Sequence, residues 1–159
     1  MRTLLFSILA SALFMVLPGR QASAQTTAQI VADTWNGYSE FEADFLQGGV
    51  GSITQTLTIN VYSDNGISGK MKSVIDLNGT IYVCYSSISG RVYEADSEVY
   101  LTATINSGAD VLPHGLEWCG VKGTLTLYND SNRSGYYVLK GNATDDCSGA
   151  NVALAFSNY

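Results

Sequence analysis

The chain contains one histidine, two prolines and only eight lysines and arginines among its 159 residues. Each shortage removes a class of function. Scattered cations cannot neutralise a run of phosphates, which argues against nucleic acid and against an anionic membrane surface as partners. With His114 as the only histidine there is no HExxH zinc motif, and any Ser-His-Asp or Cys-His centre would have to be built on that one side chain. There is no Gly-x-Ser-x-Gly elbow, no phosphate-cradling glycine loop and no CxxC metal spacing. Pro-rich linkers, charge blocks and fixed-period repeats are also missing, so one domain is expected. No catalytic residue, metal site or cofactor is expected, and the chain reads as a non-enzyme.

The N-terminal segment reads as an export signal. Arg2 supplies a positive start, an apolar stretch runs from Leu4 to Leu17, Pro18-Gly19 ends it, and Ala22-Ser23-Ala24 has the small-x-small pattern of a signal peptidase site. The apolar run is shorter than the roughly 20 residues that a spanning helix needs. Residues 1–24 are therefore expected to be a cleaved secretory signal and residues 25–159 a single domain, secreted or periplasmic, with no membrane insertion afterwards. Losing Arg2 and Arg20 takes the formal charge from −6 to −8.

Good helix formers are scarce in residues 25–159, while Gly, Ser, Thr, Asn and Tyr are plentiful, and the main signal is period-two alternation. Across Ile53–Val61 every even position is polar and Gln55 is the one polar residue among the odd ones. Ile67–Leu77 alternates with Ser73 interrupting its apolar side, and Val99–Ile105, Val121–Tyr128, Tyr137–Ala143 and Val152–Phe156 continue the pattern. Tyr38–Phe45 is a weaker strand carrying Glu40, Glu42 and Asp44 on one side, best read as a solvated face. Ala28, Ile30, Val31 and Ala32 suit a short helical or irregular lead-in before Thr34.

Short connections carry turn residues: Asp64-Asn65-Gly66, Asn78-Gly79, Ser89-Gly90 and Asn129–Gly135. Their Asn-x-Ser/Thr patterns are read as turn chemistry. At the first turn a three-residue loop, Asp64–Gly66, would place Val61 opposite Gly69 and Ile59 opposite Met71 with Gly66 left-handed, keeping apolar faces together. At Asn78-Gly79 either Ile81 and Val83 or Tyr82 and Cys84 could face inward. About eight antiparallel strands in up-and-down order, with one apolar face, imply an all-β meander closing into a small barrel, because closure removes exposed edges. A β-sandwich is the alternative.

Trp35-Asn36-Gly37 near the first strand, the Gly66-Ile67-Ser68-Gly69 hairpin and the final strand Val152-Ala153-Leu154-Ala155-Phe156 give the chain a layout that resembles the small avidin- and lipocalin-type (calycin-type) barrels. A lipocalin would carry Gly-x-Trp, whereas here Gly37 follows Trp35. The resemblance thus implies a barrel and a general binding role and transfers no specific binding residue.

Cys119 and Cys147 flank the two strands around the Asn129–Gly135 turn, and residue 133 lies midway between them. A hairpin centred there brings them face to face near its open end, so they are expected to form a disulfide, which an exported chain permits. Cys84 is left as a free thiol in an apolar strand. Among ten tyrosines and two tryptophans, Trp35, Tyr85, Trp118 and Tyr137 are the candidates for ligand contact, each an apolar body with a polar tip. The expected function is an exported binding protein holding a small apolar or amphipathic ligand. The alternative is an inhibitor or interaction module directed at a secreted or periplasmic enzyme, with the loop Leu112–Trp118 as a plug.

Overall fold

The computed structural model describes residues 25–42 and 50–159. The signal-peptide reading of Met1–Ala24 and the last part of the Tyr38–Phe45 strand lie outside the described residues. A short helix α1 (Thr27–Val31) precedes eight strands: β1 (Thr34–Glu42), β2 (Val50–Val61), β3 (Gly66–Leu77), β4 (Thr80–Tyr93), β5 (Glu98–Ile105), β6 (Val121–Asn129), β7 (Tyr137–Asp145) and β8 (Asn151–Ser157). Each strand pairs antiparallel with the next, and β8 returns to β1, closing the barrel. This is the layout shared by avidin- and lipocalin-type barrels, and the sandwich alternative is set aside. The closing seam is short, with Asn36 opposite Ser157 and Gly37 opposite Phe156.

Alternation puts the odd residues of β2, β3, β5, β6 and β7 and the even residues of β4 and β8 inside. Two details of the connections differ from the sequence expectation. The β2–β3 loop is three residues long, but its left-handed residue is Asn65 (φ 63°) and its flanking pairs are Val61 with Ile67 and Ile59 with Gly69. Asn65 tolerates that conformation because its short polar side chain suits it, and the Asp64 carboxylate accepts from the Gly66 amide at 3.0 Å. The register is therefore displaced by two residues, which preserves the faces. Second, Ser89-Gly90 is not a turn. Both residues lie within β4, and a Cβ at Gly90 would run into the Tyr100 carbonyl of β5, so the glycine serves close backbone approach. The chain reverses instead through a 3-10 turn at Glu94–Asp96, ending in left-handed Ser97.

Asn78-Gly79 forms a two-residue turn with both φ values positive, 55° and 84°, as the tightest hairpins require. It pairs Ile75 with Tyr82 and Ser73 with Cys84, which settles the open choice in favour of Tyr82 and Cys84 facing inward.

The two ends of the barrel are built differently. One end is packed solid. Trp35, Leu57, Leu125 and Leu139 are essentially unexposed there, and burying a side chain of this size contributes about 1.5–3 kcal/mol. Helix α1 caps that end. Thr26 and Gln29 form a reciprocal capping box, the Glu94 carboxylate accepts from the Thr27 and Ala28 amides at 2.8 and 3.0 Å, and the Trp35 indole donates to the Val31 carbonyl at 3.1 Å. The other end carries the β3–β4 and β7–β8 turns and the long connection 106–120. Leu112 folds from that connection onto Ile75 and Leu77, with Leu116 and Trp118 packed beside it.

Candidate functional site

Between the solid core and the 106–120 connection lies a partly open cavity of about 420 Å³. Cavities of this size hold small molecules, and its volume corresponds to about 14 waters at ~30 Å³ each. Its walls include inward-facing apolar side chains at the cavity end of the strands, among them Ile53, Met71, Ile75, Val152 and Leu154. Trp118 closes one side, fixed by its indole N–H donating to the Asp110 carbonyl at 2.8 Å. Asp110 is itself tied to β4, its carboxylate accepting from the Val83 amide at 2.7 Å.

The Cys119–Cys147 disulfide, with Cα atoms 5.6 Å apart, sits at the same end, and Cys119 lines the cavity. The expected pairing is thus present. It extends the β6–β7 hairpin beyond the pair Val121–Asp145 and ties the 106–120 connection to the β7–β8 turn. The described residues Glu117, Cys119 and Cys147 crowd together, but bonded sulfurs are not metal ligands.

Polar groups in the cavity are few and grouped. Gln55, Ser73 and Ser86 line it from β2, β3 and β4. Gln55 lies directly opposite Ser73, and Ser86 is two residues along β4 from Cys84, the partner of Ser73. Ser86 is 1% exposed, and among the described residues its hydroxyl is the buried side-chain polar atom without a hydrogen-bond partner. An unsatisfied buried hydroxyl costs about 1–3 kcal/mol. Cys84 beside it is fully buried. Burial pushes its thiol up, and the neighbouring Ser86 hydroxyl offsets this only in part. The thiol therefore stays protonated, and a neutral thiol is only a weak donor and acceptor beside Ser86. This is the opposite of an activated nucleophile. His114 sits exposed on the 106–120 connection with φ 58°.

Among the described residues the charged ones lining the cavity are Glu117 and Asp145. Ser148 donates from its amide at 2.6 Å and from its hydroxyl at 3.0 and 2.8 Å to the Asp145 carboxylate. These bonds hold Asp145 below the usual carboxylate range.

The four aromatic candidates do not converge. Trp118 lines the cavity. Trp35 is wholly buried in the packed core. Tyr137 is half-buried at the helix-capped end, beside Thr27 and Ile30. Tyr85 stands on the outer wall, 50% exposed. The residues that sequence reasoning passed over are Gln55, Ser73 and Ser86, whose signal is a polar residue at a position the alternation reserves for apolar ones. Comparison with family models, curated proteins and solved structures finds no match for this chain.

Proposed function

We propose that this protein is an exported, non-enzymatic binding protein that holds a small, largely apolar ligand in the disulfide-tied end of its barrel. The observation that carries the reading is the cavity of about 420 Å³ in a barrel whose other end is densely packed. A scaffold that needed only stability would fill both ends alike. The disulfide fits an oxidising compartment, and among the described residues no helix is long and apolar enough to cross a membrane. The Leu4–Leu17 signal reading supports a secreted or periplasmic location.

The test is titration of the purified chain with the uncharged fluorophore N-phenyl-1-naphthylamine. Saturable, blue-shifted emission is expected, and it should be lost in Val152→Trp, which fills the half-buried rim. Absent saturation, or saturation untouched by the filled rim, would refute the reading.

The outer wall favours a second, protein-directed reading, because Tyr38, Tyr85, Tyr100 and Tyr128 stand out from it at 61%, 50%, 39% and 44% exposure, and tyrosine is enriched at interfaces. Retention of a purified exported hydrolase by the immobilised domain at micromolar concentration would support an inhibitor role.

A further inference from the structure

Granted the binding reading, we infer that the cavity takes an uncharged ligand that enters polar end first, seating a hydroxyl or carbonyl oxygen on the Gln55–Ser73–Ser86 stripe. An ordinary amphiphile would leave its head at the mouth. Here the unmet hydrogen-bonding capacity is deep in the wall instead. Ser86 is buried and unpartnered, and the half-buried Gln55 faces Ser73 across β2 and β3. A serine hydroxyl and a glutamine amide each donate and accept, so one ligand oxygen can satisfy the stripe whether it belongs to an alcohol or a ketone.

Charge narrows the class further. Among the described lining residues there is neither Lys nor Arg, and their two carboxylates, Glu117 and Asp145, lie on the connection and at the strand end. Asp145 stays ionised through its bonds to Ser148. An anionic head would pass two like charges and find no counter-ion inside. A cationic head would leave those carboxylates behind at the mouth to reach a stripe of neutral groups, and burying it unpaired is costly. The volume of about 420 Å³ lies at the small end of ligand pockets, so the ligand is a short chain or a small ring system.

The experiment displaces N-phenyl-1-naphthylamine from the full chain with 1-decanol, decanoate, decylamine and butylbenzene, in wild type and in Ser86→Ala. In wild type, 1-decanol should compete at least tenfold better than decanoate or decylamine. Ser86→Ala should weaken 1-decanol about three- to tenfold, the value of one neutral hydrogen bond, and leave butylbenzene unchanged. Gln55→Leu should act in the same direction and serves if Ser86→Ala fails to fold. Equal weakening of decanol and butylbenzene, or no weakening of either, would overturn the polar-end-first arrangement while the cavity still binds. Decanoate or decylamine competing as well as decanol would overturn the requirement for neutrality. If the fluorophore itself does not bind, the binding reading falls and the inference with it.

Discussion

Removing the cross-link with Cys119→Ala/Cys147→Ala tests what holds the cavity end of the barrel together. The bridge joins residues 28 apart. A closed loop of that length removes about 12 cal/mol/K from the denatured chain, or about 3.6 kcal/mol at 25 °C. The enclosed segment is the β6–β7 hairpin, paired from Val121–Asp145 to Asn129–Tyr137. Any residual pairing of that hairpin after unfolding lowers the entropy the bridge can remove, so a loss of about 2–3.5 kcal/mol is expected. For a domain of this length that is a fall of about 10 °C in Tm. Urea unfolding followed by tryptophan emission measures it, and the m-value should rise because the uncrosslinked chain expands further. The connection 106–120 should also become easier to cut, because Cys119 anchors its end and Val111 within it is already 90% exposed. Brief thermolysin digestion should yield fragments ending inside 106–120 before the rest of the barrel is attacked. A loss below about 1 kcal/mol with an unchanged m-value would refute the loop-entropy reasoning. Global proteolysis with no preference for the connection would refute the anchoring role.

Cys84 should be inert to Ellman's reagent in the native protein at pH 8 and react as one thiol per chain in urea, because it is buried and burial pushes its thiol up; rapid native labelling would overturn its placement. For Asp145 the folded pKa is depressed by the Ser148 bonds, so its stabilising contribution is present above the ordinary carboxylate value of about 3.9 and is lost as pH falls through the lower folded value. Carboxyl NMR titration should show that depression in wild type and its partial reversal in Ser148→Ala, and identical curves would refute the assignment. Gly37→Ala puts a Cβ 2.8 and 2.9 Å from the buried Phe156 ring and 3.1 Å from the Ala155 carbonyl oxygen, at the short closing seam. It should cost about 1–3 kcal/mol in urea unfolding, and a change within 0.5 kcal/mol, as is usual for an uninvolved surface site, would mean that the seam yields.

The strands were legible because each has one buried face, and period-two alternation reports that directly. The disulfide was legible for a related reason. Antiparallel pairing makes partner numbers sum to a constant, and the pair Val121–Asp145 has the same sum as Cys119 with Cys147. The site was not legible, and the reason is register. Sliding β2 against β3 by two residues leaves every side chain on its own face, so hydrophobic pattern cannot detect the slip. The loop Asp64–Gly66 would set Gln55 opposite Ile75, where it is an isolated polar residue among apolar ones. The observed loop, shifted by one residue, sets Gln55 opposite Ser73, and two exceptions become one polar stripe. The phase of β4 completes it. Had Ile81 and Val83 faced inward, Tyr85 would have entered the barrel and Ser86 would have met water. With Tyr82 and Cys84 inside, Tyr85 goes to the surface and Ser86 comes to the cavity wall. Each break in the alternation looks like noise by itself. Only the two turns, through Asn65 and through Asn78-Gly79, bring the breaks to one place, and what they assemble there is a buried hydroxyl without a partner facing a space large enough to supply one.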